Sequence, residues 1–239
     1  MTNSPDLMAR VHEALLEARC RGLLGPAPIE LHARHAEGFA EVIGAEVIGG
    51  ASPESLLDLG SGAGVPGLFL AVMFPHTRVV LLDSNLRKTS FLTKTVLELG
   101  LSDRVCVLRG RAEDVAAQAS WRETFDVVVA RSFGRPATTA ECGAPFVRAG
   151  GSMIVSDPPK QSGGTCEDEP ADRSATPATA TPPATATPRW LEEGLGLLGL
   201  VPERSVVSRG FSFQVLSKVA SCSERFPRRT GLAGQRPIF

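Results

Sequence analysis

A glycine-rich segment in the first third of the chain has the residue types of a ligand-binding turn. Residues 58–67 read DLGSGAGVPG after a short apolar run, which predicts a turn between the first strand and a helix. Glycines expose bare backbone, and open α/β folds bind ligands at the carboxyl edge of the sheet. A dinucleotide fingerprint, G-x-G-x-x-G/A, is not met, because counting from Gly60 places Val65 at its third glycine. The segment therefore predicts a site for another ligand.

Two further segments lie at the ends of the next predicted strands. Asp83 ends the second strand, where a carboxylate can accept hydrogen bonds from both hydroxyls of a ribose. Residues 110–114, GRAED, follow the third strand. Together with the G-x-G-x-G turn, these segments resemble the cofactor site of class I methyltransferases. The resemblance implies S-adenosyl-L-methionine as the cofactor, with glycines admitting its methionine part.

The elements around these segments predict an α/β fold. Short β-rich runs alternate with stretches of helical spacing, which is typical of a parallel sheet built by right-handed crossovers. The predicted strands are 56–59, 78–83, 105–109, 125–130 and 152–155, then an antiparallel pair at 205–208 and 211–219. Helices are predicted at 6–21, 29–48 and 190–200. We expect a Rossmann-like class I methyltransferase with about seven mostly parallel strands, helices on both faces and an N-terminal helical cap.

Composition divides the chain into four parts. Residues 1–50 form the predicted helical cap and 51–160 the cofactor-binding core. Residues 161–188 contain six Ala, six Thr and five Pro, too few large apolar groups to offset the entropy of ordering, so we predict a disordered linker. Residues 189–239 supply a helix, a strand pair and a basic tail that complete the same domain.

Charge and cysteine content exclude several classes of protein. The 239 residues carry a net charge of −1, and the longest apolar run, 68–74, is far shorter than a membrane span. Five cysteines, an odd number without metal-ligand spacing, argue against a disulfide framework or a metal site. We expect a cytoplasmic monomer without metal or membrane segment.

Five stretches carry a more specific resemblance. DLGSGAGVPG, LLDSNLRKTSFL, GRAED, FDVVVARSF and the terminal RFPRRTGLAGQRPIF together resemble the bacterial 16S rRNA (guanine-N7) methyltransferase family G, RsmG or GidB. The match runs from about residue 55 to 239, interrupted by the predicted linker. It implies a guanine N7 in 16S rRNA as the target, and 16S rRNA or the small ribosomal subunit as the partner.

The resemblance also implies roles for particular residues. Expected cofactor contacts are Gly60, Gly62, Gly64 and Val65 on the methionine side, Asp83 at the ribose, and Ala112 and Glu113 at the adenine. Arg131 matches an arginine at the junction of cofactor and substrate and is the candidate positioning residue; the alternative is a structural ion pair, for instance with Glu113.

Methylation of guanine N7 requires little catalytic machinery, because N7 has a free lone pair and no proton to lose. In-line placement and exclusion of water suffice. The sequence accordingly offers no persuasive general base. The four histidines, His12, His32, His35 and His76, are expected to face solvent rather than to act in catalysis.

Contact with RNA is expected from the C-terminal tail. Within residues 218–239, the basic residues oppose only Glu224 and could neutralise phosphates. They are Lys218 and the predicted RNA-binding residues Arg225, Arg228, Arg229 and Arg236. We predict a docked tail; a frayed basic terminus is the alternative.

The chain departs from the family at the end of strand five. The family has Lys-Gly there, whereas this chain has Ser156 and Asp157 followed by two prolines. Asp-Pro-Pro also invites comparison with the (D/N)-P-P-(Y/F) motif of amino methyltransferases, although that motif belongs after strand four. Two alternatives to the rRNA enzyme therefore stay open: a methyltransferase of the same fold acting on another RNA, a protein or a metabolite, and a catalytically silent binding module.

Overall fold

The fold is built around a twisted sheet, seen in a computed structural model that describes residues 4–47, 50, 52–158 and 189–239. Within these residues there are seven strands: β1 Ser55–Leu59, β2 Arg78–Asp83, β3 Val105–Arg109, β4 Phe125–Ala130, β5 Val147–Asp157, β6 Leu200–Ser208 and β7 Phe211–Lys218. Their order is β3-β2-β1-β4-β5-β7-β6. The ladders among β1 to β5 are parallel, and β7 runs antiparallel to both of its neighbours. The predicted fold class is confirmed.

Helices cover both faces of the sheet. They are α1 Ser4–Cys20, α2 Ile29–Glu41, α3 Gly67–Met73, α4 Leu86–Glu98, α5 Ala112–Ala116, α6 Pro136–Gly143, α7 Glu192–Gly196 and α8 Leu232–Gln235. Successive strand residues point to opposite faces. Leu56 accordingly packs in the cluster with α1 to α4, and Leu57 in the cluster with α5 to α8.

The N-terminal helices belong to one of these two apolar layers. Val11 of α1 and Phe39 of α2 are fully buried, and the Phe39 ring contacts Phe213 of β7 edge-on with centroids 4.7 Å apart. The predicted cap therefore packs directly on the sheet. The predicted linker, 161–188, lies outside the described residues, and the division into four parts stays a prediction.

Glycines account for most of the predicted boundaries that were wrong. The helix expected at 190–200 is only the five-residue α7, and β6 begins at Leu200 rather than at 205. Gly199 adopts φ +70°, a left-handed turn that ends the helical segment. Strand β5 begins at Val147 rather than at 152, because Gly150 and Gly151 hide its apolar pattern. Helix α2 ends at Glu41 and continues as a π-helical turn, Val42–Val47.

The carboxyl ends of the parallel strands form the edge that positions the site. Leu59, Asp83, Arg109, Ala130 and Asp157 end β1 to β5 in turn, so the loops after these residues meet there. No helix among the residues described is long and apolar enough to cross a membrane.

Candidate functional site

The glycine-rich turn after β1 is held against the end of β2. The backbone amides of Gly60 and Ser61 donate to the carbonyl of Leu82 at 2.8 and 2.9 Å. The amide of Gly62 donates to Oδ2 of Asp83 at 2.9 Å. These bonds fix the turn beside the second strand and bring Asp83 next to it, as the sequence predicts.

At two positions of the turn, neighbouring side chains leave no room for a Cβ atom. Gly60 has φ +75°, and a Cβ there would lie 2.6 Å from Cδ2 of Phe133. Gly64 has φ +100°, and a Cβ there would collide with Leu68 of α3. Gly60 therefore lets Phe133 reach the turn, whereas Gly64 lets α3 pack beneath it.

Asp83 is held in place by two hydrogen bonds, and its carboxylate can accept more. Its Oδ1 accepts from the amide of Asn85 at 2.8 Å and its Oδ2 from that of Gly62, and its side chain is 10% exposed. A carboxylate offers about four lone-pair positions, so half of them are free for a ligand. Asn85 in turn caps α4 by accepting from the amides of Arg87 and Lys88 at 2.9 and 3.2 Å.

A cavity of about 470 Å³ opens beside this carboxylate. Of the predicted cofactor residues, it is lined by Gly60, Asp83, Ala112 and Glu113. The cavity is not lined by the others, Gly62, Gly64, Val65 and Arg131. Half of the predicted cofactor residues thus line the cavity, and the other half do not.

The C-terminal segment closes one side of the cavity, which sequence reasoning did not anticipate. Gly231, Gly234 and Gln235 line it. The amide of Gly231 donates to Oε1 of Glu113 at 2.9 Å. Gly231 also has φ +83°, so the GLAG stretch in the tail was the available signal. Cys142 lines the cavity too, and burial raises the pKa of its thiol to about 12, which makes it unreactive.

Arg131 contacts a histidine, and not Glu113, the partner that the alternative of a structural ion pair suggested. Its Nη1 donates to Nδ1 of His32 at 3.0 Å, which requires the proton of that ring to lie on Nε2. Glu113 instead pairs with Arg111 at 3.6 Å. Burial lowers the pKa of Arg131, and the neighbouring Asp58 carboxylate opposes this.

The prediction that the histidines face solvent is wrong for His32 and His35 and correct for His76. His32 is buried, and the ring of His35 stacks on Phe211 with centroids 4.1 Å apart. Nε2 of His35 lies 2.7 Å from Oγ of Ser156. Burial, followed by the charge of Arg131, lowers the pKa of both rings, that of His35 to about 4. His12 is half-buried against Phe69.

Asp58, the last polar residue of β1, is buried below the glycine turn. Its Oδ2 accepts from the amide of Gly67 at 3.0 Å, and its Oδ1 has no hydrogen-bond partner within the described part of the chain. Burial raises the pKa of this carboxyl to about 7 despite that bond.

The basic tail divides into structural and exposed residues. Lys218 is 2% exposed and pairs with Glu123 at 3.2 Å, so the prediction that it belongs to a surface patch is wrong. Arg228 pairs with Glu141 of α6. The side chains of Arg225, Arg229 and Arg236 are exposed.

Comparison with solved structures identifies the class of fold. An O-methyltransferase from Bacillus cereus has a TM-score of 0.55 at 15% identity, covering 88% of this chain and 90% of its own. A methyltransferase from Aquifex aeolicus has a TM-score of 0.51 at 18% identity, covering 81% and 94%. Together with the sheet order, these likenesses show the Rossmann-like fold of class I methyltransferases.

Sequence relatives define the class further. The profile of the family described as rRNA small subunit methyltransferase G matches residues 28–161. A relative of that name from an Exiguobacterium species is 34% identical over 186 residues, 78% of this chain and 71% of the relative. Another from Dehalococcoides mccartyi is 33% identical over 201 residues, 84% and 78% of the two chains. The chain belongs to the rRNA small subunit methyltransferase G family.

Proposed function

We propose that the protein transfers a methyl group from S-adenosylmethionine to N7 of a guanine in 16S rRNA. The observation that carries this proposal is the cavity at the carboxyl edge of the sheet, which Asp83 lines beside the glycine turn.

The residues of the cavity fit this cofactor. Asp83 has two unused acceptor positions, which suits a pair of ribose hydroxyls. Ala112 and Glu113, facing Gly231 of the tail, form a narrow end for the adenine. Gly60, with Gly62 behind it, leaves room on the methionine side.

Positioning and charge are what the chain contributes to the reaction. When bound, the cofactor supplies a sulfonium methyl group, and the lone pair of guanine N7 can displace its thioether without loss of a proton. The site therefore needs no general base. Phe133 lies against Gly60, where it can exclude water from the transfer path. Arg131, which donates to His32, directly precedes this loop and is the candidate positioning residue.

Recognition of RNA is assigned to the exposed arginines of the tail. Arg225, Arg229 and Arg236 lie on the segment that also lines the cavity, so phosphates bound there would bring RNA to its rim. Arg228 is different, because its guanidinium is engaged by Glu141.

The test is methyl transfer from labelled cofactor to 30S subunits isolated from a strain that lacks the corresponding methyltransferase. We expect label in 16S rRNA, recovered as 7-methylguanosine on nucleoside analysis, and none with subunits that are already methylated. Label in a different nucleoside, in protein or in small metabolites would favour another substrate, and no transfer to any acceptor would reject the enzyme assignment.

A further inference from the structure

A second cavity of about 460 Å³ adjoins the cofactor cavity. The two share Ser132 and Phe133, which form the loop after β4. Aromatic rings of Phe133, Trp190 and Phe211 line the second cavity, as does the ring of His35. Flat, largely apolar walls of this kind are what a base removed from its stack requires.

Asp157 lies on the side of this second cavity away from the glycine turn. Ala130 of β4 pairs with Val155 of β5, and Asp157 and Ser132 each follow two residues later, so both lie at the carboxyl edge of the sheet. Neighbouring strands are about 4.8 Å apart, and β4 separates β5 from β1. The Asp157 carboxylate is thus one strand further from the cofactor cavity than the shared wall.

The carboxylate of Asp157 is fixed but not saturated. Its Oδ1 accepts from Nε of Arg189 at 3.1 Å and its Oδ2 from Nε1 of Trp190 at 3.2 Å. Each oxygen keeps a further lone pair. Asp157 is the sole carboxylate among the described residues that line the second cavity, and its side chain is 17% exposed.

We propose that the second cavity binds the target guanine and that Asp157 selects it by accepting hydrogen bonds from N1–H and the 2-amino group. This inference rests on the proposed function. Adenine has an acceptor at N1 and no 2-amino group, so the same carboxylate repels it. N7 lies on the side of the purine opposite this edge, so a guanine held by Asp157 directs N7 toward Phe133 and the cofactor cavity.

The test compares two substrates, 30S subunits reconstituted with 16S rRNA that carries guanine or inosine at the methylated position. Inosine keeps N7 and N1–H but lacks the 2-amino group. We expect wild-type kcat/KM to be about tenfold lower on inosine, because the Asp157 carboxylate then lacks the hydrogen bond from the 2-amino group. Asp157→Asn should lower kcat/KM on guanine about tenfold or more and reduce the guanine preference to about twofold or less.

Two controls separate recognition from structure. Arg189→Ala removes a partner of Asp157 but leaves the carboxylate, so the guanine preference should persist. Asp126→Asn breaks a comparable pair, with Arg148, at the amino edge of the sheet and should leave the preference unchanged. Cofactor affinity, measured by calorimetry, should be the same in Asp157→Asn and wild type.

Each remaining outcome is decisive. Equal rates of the wild-type protein on both substrates, or an unaltered preference in Asp157→Asn, would overturn the role of Asp157 while leaving the proposed function intact. Absence of transfer to either RNA would overturn both.

Discussion

Arg228 and Glu141 form a two-point ion pair that anchors the C-terminal segment to α6. Nε and Nη2 of the arginine lie 2.8 and 2.5 Å from Oε1 and Oε2 of the glutamate, which is fully buried. Nη2 also donates to the carbonyl of Arg236 at 2.7 Å. Because Gly231, three residues further on, contacts Glu113, this pair holds a wall of the cofactor cavity in place.

Arg228→Ala should therefore destabilise the protein. Removing the arginine leaves Glu141 buried without its cation, which costs about 3–5 kcal/mol. Urea unfolding measures the loss. Arg229→Ala, an exposed neighbour, should change the free energy of unfolding by less than about 0.5 kcal/mol. The double variant Arg228→Met with Glu141→Met should recover much of the stability that Arg228→Ala loses. Similar stability of both alanine variants would show that the pair is not structural.

Asp83→Asn should weaken binding of S-adenosylmethionine. The neutral amide has one acceptor oxygen in place of two, so the bonds to a ribose are weakened and the dissociation constant should rise about 10- to 100-fold. Calorimetric titration checks this, with Asp103→Asn, an exposed aspartate outside the cavity, as the matched control. A dissociation constant within twofold of wild type would remove Asp83 from the site.

Arg229→Ala combined with Arg236→Ala should weaken RNA binding without affecting the cofactor. Each phosphate contact contributes about 0.7–0.9 to the slope of log K against log salt, so the slope should flatten by about 1.4–1.8. Filter binding at several salt concentrations measures it. Arg78→Ala with Arg148→Ala removes the same charge from exposed positions elsewhere and should leave the slope unchanged. Parallel losses in RNA and cofactor affinity would indicate a folding defect instead.

The burial of Asp58 predicts a pH dependence of stability. Its pKa rises from 3.8 to about 7 in the fold, so the unfolded chain ionises first. The contribution of this group to stability is complete below about pH 4 and is lost as the pH rises to about 7. Asp58→Asn lacks that loss, so its free energy of unfolding relative to wild type should rise across this window, by up to about 4 kcal/mol. A difference that is constant from pH 4 to pH 8 would contradict the burial argument.

The runs of apolar residues predicted the strand bounds correctly where no glycine interrupts them. The Val- and Leu-rich strands β2, β3 and β4 have the predicted bounds. Strands β2 and β4 are buried along most of their length, whereas β3, at the edge of the sheet, is only partly buried. Where glycines interrupt the pattern, as at Gly150 and Gly199, the bounds were wrong. The glycine turn and Asp83 were found from their spacing, because both follow strand ends.

Contacts between distant segments were not visible in the sequence. His35 is one of four scattered histidines until α2 packs on β7 and its ring meets Phe211. Arg228 looks like its exposed neighbours, since only the fold brings it to Glu141. The prediction for Lys218 was wrong for the same reason, because its buried ammonium donates a hydrogen bond to the carbonyl of Ala144.

The most direct test is a crystal structure of the protein with S-adenosylhomocysteine. We predict the product in the cavity of about 470 Å³, with both ribose hydroxyls within hydrogen-bond distance of Asp83 and the adenine between Ala112 and the tail segment at Gly231. A product bound elsewhere, or one whose ribose makes no contact with Asp83, would contradict the account.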